Sequence, residues 1–278
     1  MKVKDSVVWV TGGTAGIGLA CVKMLLSQGA KVMATARNSE RGERVQSELN
    51  NENFMFVKAD MIKTEELENA LDAIIKKWGR IDVLIANAGG GGPSWTLPMK
   101  PTDASLASGG RWEWEYNPDD PTDVLEDFKN SVLLNLIGNF DVARQCAKKM
   151  MDNDVNEDGE RGNIMFIASS TAFKRSSPGL LHGYCASKSG LVGLTKEMSV
   201  NLAQAGIRVN NISTGYFDTE LAAASGFLSG DWLDGQIWPK TPGEPKYIAQ
   251  MAVQIIENVF INNASLQVDA GYCGVPSY

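Results

Sequence analysis

The strongest constraint on the fold is the alternation of short β-rich runs with amphipathic helical segments from the start of the chain. Val7 to Val10 is a strand-like run, a helical pattern follows until Gly29, and Lys31 to Thr35 begins the next strand. The alternation continues to the apolar run that ends at Ala86. Strands joined by right-handed helical crossovers form one parallel sheet. The sequence therefore predicts an α/β fold, a Rossmann-type doubly wound parallel sheet of about seven strands with helices on both faces.

Two irregular segments interrupt this pattern. Residues 90–122 and 214–242 are rich in glycine, proline and tryptophan, and long stretches of this kind are uncommon inside a compact domain unless they are functional. Elsewhere the pattern predicts helices over 123–151, 184–204 and 244–258, and strands over 163–168, 207–212 and 265–268. We expect one catalytic domain, residues 1–278, with an irregular insertion at 90–122 and a substrate-lid segment at 214–242.

Composition excludes several classes of function. The chain has 26 basic and 33 acidic residues, a net charge of −7, which argues against nucleic acid as a partner. Its four cysteines are scattered, and a single histidine, His182, leaves no cluster of metal ligands, so no metal site is expected. No apolar run is long enough for a membrane span, and no leader-like segment opens the sequence. We expect a cytoplasmic protein without a membrane partner.

A glycine-rich turn joins the first strand to the first helix. It contains the residues Gly12, Thr14, Gly16, Ile17 and Gly18. Glycines permit a tight turn and let the backbone approach a diphosphate, while the helix N-terminus offers unpaired N–H groups and positive potential. Many strand–helix joints carry glycine for steric reasons alone, but the position of this turn after the first strand favours dinucleotide binding.

The end of the second strand bears on the choice of cofactor. An acidic side chain there would accept the ribose hydroxyls of NAD(H), but the run is Ala36-Arg37-Asn38 and holds no carboxylate. Arg37 can pair with a 2′-phosphate through charge-assisted hydrogen bonds, with further bonds from Thr35 and Asn38. NADP(H) is therefore favoured over NAD(H). The alternative is that Arg37 is an ordinary solvated loop residue.

Tyr184 and Lys188 are four residues apart at the start of a predicted helix, so they share one helix face. Transfer of hydride to a ketone needs a proton donor, and oxidation of an alcohol needs a base. The ordinary pKa of a phenol is about 10, and a neighbouring ammonium group lowers it. Lys188 is thus expected to lower the pKa of Tyr184, although such a pair taken alone is usually a surface feature.

Taken together, the motifs resemble the short-chain dehydrogenase/reductase family. They occur in the family's order along nearly the whole chain: Thr11-Gly12-x-x-x-Gly16-Ile17-Gly18, Asn87-Ala88-Gly89, Asn135, Ser169-Ser170 and Tyr184-x-x-x-Lys188. The resemblance implies that Tyr184 exchanges the proton and that Lys188 tunes it and binds the nicotinamide ribose. It also implies that Asn135 holds a water linking Lys188 to solvent and that a serine binds the substrate oxygen.

The resemblance extends to the other cofactor contacts. It implies that Asp60 and Met61 contact the adenine, that Asn87, with Ala88 and Gly89, stabilises the sheet beside the cofactor, and that Thr219 contacts the carboxamide. Thr214 and Gly215 form the turn before that threonine, where the family usually has proline in place of Thr214.

The choice of serine rests on spacing. In the family the tyrosine usually lies thirteen positions after the serine, whereas Tyr184 lies fourteen positions after Ser170. Either the intervening loop has one extra residue and the hydroxyl is that of Ser170, or it is that of Thr171. Ser170 is favoured because it is the second serine after the strand.

The substrate is predicted from where the tryptophans fall. Five of the seven lie in the two irregular segments: Trp95, Trp112, Trp114, Trp232 and Trp238. These segments leave the carboxyl ends of strands, where ligands of open α/β sheets bind. A small-molecule hydrophobic alcohol or ketone, bulky or cyclic and steroid-like, fits such a lid, with Trp95, His182, Phe217 and Trp232 as candidate contacts. Alternatively these aromatics seal a subunit interface, and His182 is an ordinary loop residue.

Three functions are compatible with the motifs. The first is an NADP(H)-dependent alcohol dehydrogenase or carbonyl reductase. The second is an epimerase or dehydratase on the same fold, although no Glu or His is obviously placed for its extra acid–base steps. The third is a catalytically silent nucleotide-sensing protein, although such chains typically lose the Tyr or Lys. The resemblance also implies a homotetramer or homodimer built on the helices predicted at 123–151 and 184–204.

Overall fold

A computed structural model describes most of the chain, namely residues 1–90, 99–101, 114–117, 119, 124–174, 181–224, 233 and 235–274. Its strands are β1 Val7–Thr11, β2 Lys31–Ala36, β3 Phe54–Lys58, β4 Val83–Ala86, β5 Met99–Pro101, β6 Trp114–Tyr116, β7 Gly162–Ser169, β8 Ile207–Thr214 and β9 Ser265–Val268. Its α-helices are α1 Gly16–Ser27, α2 Ser39–Leu49, α3 Thr64–Trp78, α4 Val124–Val132, α5 Gly138–Met150, α6 His182–Ala203, α7 Glu220–Ala224 and α8 Lys246–Glu257.

Seven of these strands form one parallel sheet in the order β3-β2-β1-β4-β7-β8-β9. The order reverses direction between β1 and β4, which opens a crevice at the carboxyl ends of these two strands. Ligands of open α/β sheets bind at such a switch point. The predicted Rossmann-type sheet of about seven strands is confirmed.

The strands are apolar because both faces of the sheet are covered. β1 is fully buried along its length, and its side chains alternate between two cores. Val7 and Trp9 face the layer of α3, α5 and α6, whereas Val8 and Val10 face the layer of α1 and α8. A central strand buried on both faces reads as a continuous β-branched run, which is what the sequence shows here.

Local signals set the helix boundaries. The side-chain oxygen of Asn38 accepts a hydrogen bond from the backbone N–H of Arg41 at 2.8 Å and caps α2. Helix α3 has Glu65 and Glu66 in its first turn and ends at Gly79, whose φ of +80° is the left-handed conformation that glycine adopts freely. These caps hold α2 and α3 against the sheet beside the crevice.

The second half of the chain keeps the predicted elements with one internal change. The helix predicted over 123–151 is described as α4, a π-helical turn at Leu133–Ile137, and α5. The helix predicted over 184–204 begins two residues earlier, at His182. Within the irregular stretch 90–122, β5 and β6 pair as an antiparallel ribbon, and most of the remainder lies outside the described residues.

None of the helices within the described ranges combines the length and the apolar character that crossing a bilayer requires.

Candidate functional site

A cleft of about 880 Å³ lies at the carboxyl edge of the sheet, over the switch point between β1 and β4. The residues that line it come from the glycine turn, the ends of β2, β4, β7 and β8, and the first turns of α2 and α7. Nearly all of the predicted cofactor-binding residues line it: Gly12, Thr14, Gly16, Ile17, Arg37, Asn38, Asp60, Met61, Asn87, Ala88, Gly89, Tyr184, Lys188, Thr214 and Thr219. Gly18 and Gly215 do not line it.

The glycine turn uses the conformations that only glycine adopts without strain. Gly12 and Gly16 have φ values of +65° and +48°. The backbone N–H of Gly12 donates to the carbonyl of Thr35 at 2.8 Å, which ties the turn to β2. A Cβ added to Gly18 would lie 2.3 Å from the Gly12 carbonyl oxygen, so the helix approaches the turn too closely for any side chain.

The N-terminus of α1 fits a diphosphate. Its N-cap residue, Ala15, has no side-chain acceptor, and the first turn carries no acidic residue. The leading N–H groups of the helix are therefore left for an external anion, which the positive end of the helix dipole also favours. Helix α2, by contrast, has its first turn capped by Asn38. The residues present thus fit the diphosphate of a dinucleotide at α1.

Asn87 holds the carboxyl ends of β1 and β4 together. Its side-chain amide donates to the carbonyls of Thr11 and Gly12 at 3.0 and 3.4 Å. The hydroxyl of Thr11 in turn accepts from the backbone N–H groups of Asn87 and Ala88 at 3.0 and 2.9 Å. This closed set of bonds fixes the floor of the crevice.

The adenosine end of the cleft is formed by β2, α2 and the residues after β3. Arg37 and Asn38 are exposed there, and Asp60 is half-buried. Thr35 also lines this end of the cleft, and its hydroxyl accepts a hydrogen bond from the Trp9 indole in the core at 3.0 Å. Sequence reasoning missed Arg41, which lines the cleft one helical turn after Arg37.

The hydroxyl bonded to Tyr184 is that of Ser169, not of Ser170. Ser169 is the last residue of β7 and still extended, with φ −150° and ψ 153°. Its oxygen accepts hydrogen bonds from the backbone N–H and the hydroxyl of Thr171, at 3.2 and 3.0 Å. With its lone pairs so occupied, Ser169 has its own proton to donate. Ser170 starts the following 3₁₀ turn and is buried.

Lys188 is buried one helical turn after Tyr184. Its ammonium donates to the carbonyl of Ile167 at 2.8 Å and lies 5.5 Å from the centroid of the Tyr184 ring. A Cβ added to Gly89 would lie 3.3 Å from its Nζ, so this glycine leaves the ammonium open toward the cleft.

Burial shifts the pKa values of both groups. Removal from water disfavours the charged form, which lowers the pKa of Lys188 to about 8. Burial also raises the pKa of Tyr184, and the hydrogen bond from Ser169 offsets this only in part. The sequence led us to expect a lowered pKa for Tyr184 next to Lys188; in the structure desolvation outweighs that effect.

Asn135 lies in the π-helical turn behind Lys188 and is fully buried. Its amide side chain accepts from the backbone N–H of Gly90 at 3.0 Å and donates to the Gly90 and Ser131 carbonyls at 2.7 and 2.9 Å. π-turns inside helices are frequent at functional sites. Here the turn brings the helix and the segment after β4 together.

Thr214, Gly215 and Thr219 shape the opposite wall. The Thr219 side chain packs over Gly16 and accepts a hydrogen bond from the N–H of Ala222 at 3.2 Å, which caps α7. A Cβ added to Gly215 would lie 2.7 Å from the Cα of Asp269, so glycine is required there.

The candidate substrate contacts fare differently. Phe217 is buried in the core, where its ring packs on Gly243, and it does not line the cleft. His182 is exposed at the first residue of α6, also away from the cleft lining. Trp95 and Trp232 lie outside the described residues. Within the described ranges, no group of three His, Cys, Asp or Glu side chains is arranged to hold a metal ion.

The chain is similar to known proteins over nearly its whole length. A family model described as short chain dehydrogenase matches residues 6–226. The human protein named 3-hydroxyacyl-CoA dehydrogenase type-2 is 33% identical over 269 residues, covering 96% of this chain and 95% of the relative. Ipsdienol dehydrogenase of Ips pini is 29% identical over 272 residues, covering 97% of each.

A solved structure is similar over the same extent. The 3-ketoacyl-(acyl-carrier-protein) reductase from Brucella melitensis, complexed with NADH, has a TM-score of 0.79 and 26% sequence identity. The match covers 98% of this chain and 100% of that one.

Proposed function

The chain belongs to the short-chain dehydrogenase family, and on that premise we propose that it is an NADP(H)-dependent oxidoreductase that interconverts a secondary alcohol and a ketone. The observation that carries the proposal is the hydrogen-bonded pair of Ser169 and Tyr184, with the Lys188 ammonium 5.5 Å from the phenol ring, in a cleft whose other end suits a diphosphate. The proposed catalytic domain extends through the whole chain, residues 1–278.

The side chains divide the proton chemistry between them. When bound, the reduced nicotinamide supplies the hydride. In the reductive direction Tyr184 donates its proton to the substrate oxygen, and the Ser169 hydroxyl donates a hydrogen bond to the same oxygen as negative charge develops. Lys188 stabilises the phenolate that remains. In the oxidative direction the phenolate accepts the alcohol proton.

The preference for NADP(H) rests on charge at the adenosine end. Arg37 is exposed beside the cleft and is paired with no carboxylate among the described residues, and the run Ala36-Arg37-Asn38 at the end of β2 holds no acidic side chain. A guanidinium in this position suits a 2′-phosphate.

For the substrate we propose a bulky hydrophobic or cyclic alcohol or ketone. Five tryptophans in the segments 90–122 and 214–242 support this, because both segments leave the carboxyl edge of the sheet. A second candidate is a 3-hydroxyacyl thioester, which is favoured by the 33% identity with a protein named 3-hydroxyacyl-CoA dehydrogenase type-2 over 96% of the chain.

Cofactor oxidation tests these alternatives together. Wild-type protein is mixed with NADPH or NADH and a panel of cyclic ketones and 3-ketoacyl thioesters, and loss of absorbance at the reduced nicotinamide band is followed. We expect turnover with NADPH, and the Tyr184→Phe variant should lose about 10³-fold in kcat while still binding NADPH. Retained activity in that variant would overturn the role of Tyr184. Tight nucleotide binding without any turnover would favour the nucleotide-sensing alternative.

We further propose a cytoplasmic homodimer or homotetramer. The four cysteines lie in the described part of the chain and none of them forms a disulfide bond, which suits a reducing compartment. Exposed apolar side chains on α4, α5 and α6 support contact between subunits: Leu125, Phe128, Phe140 and Val200. Light scattering coupled to gel filtration measures the assembly, and a monomer at micromolar concentration would contradict it.

A further inference from the structure

One ion pair joins the two walls of the cleft at its adenosine end. Nη2 of Arg41, in the first turn of α2, lies 2.9 Å from Oε2 of Glu220, the first residue of α7. Both residues line the cleft, and both remain partly in water, with 36% and 70% of their side chains exposed.

The same end of the cleft therefore holds two guanidinium groups that differ in their ion pairing. Arg37 is exposed and lacks an ion-pair partner within the described ranges, whereas Arg41 is already paired with Glu220. Asn38 cannot replace either guanidinium as a strong donor, since its amide N–H groups are neutral; its oxygen caps α2 by accepting from the Arg41 N–H. Among the described residues, Glu220 carries the only carboxylate that is paired with either arginine, and its partner is Arg41.

A carboxylate in this place acts differently on the two cofactors. A phosphate monoester carries about −1.5 to −2 charge at pH 7 and pairs well with two guanidinium forks. Glu220 competes with that phosphate for Arg41 and also repels it. The neutral 2′-hydroxyl of NAD(H) meets neither effect.

We propose that Glu220 is a cofactor-specificity residue, which weakens the binding of NADP(H) by holding Arg41 in an ion pair and leaves NAD(H) binding nearly unchanged. The inference rests on the proposed function, in which the adenosine ribose lies at the end of β2. The two residues then have opposite effects on the preference for NADP(H) over NAD(H): Arg37 favours binding of the 2′-phosphate, and Glu220 reduces the affinity for it.

Equilibrium binding tests the proposal without turnover. Dissociation constants for NADPH and NADH are measured by isothermal titration calorimetry for the wild type and Glu220→Gln. Exposed ion pairs are individually weak, so the removal of one carboxylate is expected to lower the Kd for NADPH about fivefold and to change that for NADH less than twofold. Equal changes for both cofactors, or no change for NADPH, would overturn it.

Two further variants test whether Glu220 acts through its ion pair with Arg41 or only through its negative charge. Glu40→Gln removes the same charge next to Arg41 in sequence, from an exposed residue that does not line the cleft, and should leave the NADPH preference unaltered. In an Arg41→Ala background, Glu220→Gln should lose most of its effect; an undiminished effect would mean that Glu220 does not act through Arg41.

The two proposals fail in different ways. If the wild type binds neither nucleotide, the proposed function is wrong. If the wild type binds both but Glu220→Gln behaves like the Glu40→Gln control, only the inference about Glu220 is wrong.

Discussion

At the scale of single residues, burial moves the two proton-handling groups of the cleft toward their neutral forms. It raises the pKa of Tyr184 and lowers that of Lys188 to about 8. A phenol that stays protonated at neutral pH is a proton donor, which suits reduction of a carbonyl. The oxidative direction needs the phenolate and should therefore gain from higher pH.

The pKa of Lys188 also makes a prediction about stability. Its decrease from 10.5 to about 8 corresponds to a cost of about 3 kcal/mol for burying the charge. The cost is present in full below pH 8, where the folded and unfolded states are both charged. It fades between pH 8 and 10.5, because there the unfolded state still binds the proton that the folded state has lost. The stability of the wild type relative to Lys188→Met should therefore rise by about 3 kcal/mol from pH 7 to pH 10.5.

Urea denaturation of the cofactor-free protein at several pH values measures this difference. Lys196→Met on the same helix is the control, because Lys196 is exposed and its replacement should give a difference that does not vary with pH. A constant difference between wild type and Lys188→Met would contradict the buried-charge account.

The two neighbouring serines should respond differently to truncation. Ser169→Ala removes the hydroxyl that is bonded to Tyr184 and that we propose donates to the substrate oxygen, so it should lower kcat/KM about 10²-fold. Ser170→Ala leaves that donor in place and should change kcat/KM less than twofold. Steady-state kinetics with the best ketone decides, and the reverse order would restore Ser170 as the working hydroxyl.

At the scale of elements, the sequence is enough to predict the fold and the phosphate end of the cleft, but not the position of every side chain. The alternation of strands and helices predicts the sheet, and Gly12, Gly16 and Gly18 predict a close approach of backbone, because both signals are local. The sequence analysis weighed Ser170 against Thr171, whereas the structure favours Ser169, because β7 extends to Ser169, one residue beyond the predicted 163–168. One residue reverses the direction of a side chain on a strand.

Contacts between distant elements left no local signal either. Arg41 and Glu220 are far apart in the chain and meet only because α2 and α7 lie on opposite walls of the cleft. Phe217 follows Gly215 in a segment that sequence reasoning gave to the substrate, but its ring fills a gap beside Gly243 in the core. Such packing depends on the three-dimensional fit, which periodicity does not report.

Two glycines in helices offer a matched prediction. A Cβ at Gly18 would lie 2.3 Å from the Gly12 carbonyl oxygen and 2.6 Å from the Asn87 amide nitrogen, so Gly18→Ala must displace the turn. We expect about 1–3 kcal/mol of destabilisation and at least a tenfold loss of nucleotide affinity. Gly193, exposed inside α6, has no heavy atom within 4 Å of an added Cβ. Gly193→Ala should stabilise the protein by about 0.5–1 kcal/mol.

Thermal denaturation and nucleotide titration distinguish the two variants. Normal nucleotide binding by Gly18→Ala would contradict the close approach of α1 to the glycine turn, and destabilisation by Gly193→Ala would contradict the open surroundings of that position.

At the scale of the whole molecule, the two edges of the sheet are specialised. The carboxyl edge holds the cleft, and its polar groups face an open space. At the amino edge the guanidinium of Arg208 is buried and bonded to the Glu160 carboxylate at 2.5 Å. It also donates to backbone carbonyls at and beyond the end of α8: Ile255, Ile256, Asn258 and Ile261. The carbonyls of Ile255 and Ile256 belong to the last turn of α8, where the helix itself supplies no donors, so Arg208 helps to satisfy the end of α8 and joins it to β8.

The separation of the cleft from the amino edge predicts a variant that is less stable than the wild type but keeps its kcat. Lysine in place of Arg208 keeps the charge but cannot reach five acceptors with one ammonium, and the Ile256 carbonyl loses the only donor described for it. Arg208→Lys should therefore destabilise the protein by about 3 kcal/mol, whereas the exposed pair of Arg44 with Glu48 should tolerate Arg44→Lys with a change below about 0.5 kcal/mol. Because the cleft is at the opposite edge, kcat per folded molecule should equal that of the wild type. It is measured at 20 °C or below, about 10 °C under the temperature at which the variant begins to unfold. A fall in kcat with the protein still folded would mean that the two edges are coupled through β8, whose carboxyl end carries Thr214 into the cleft.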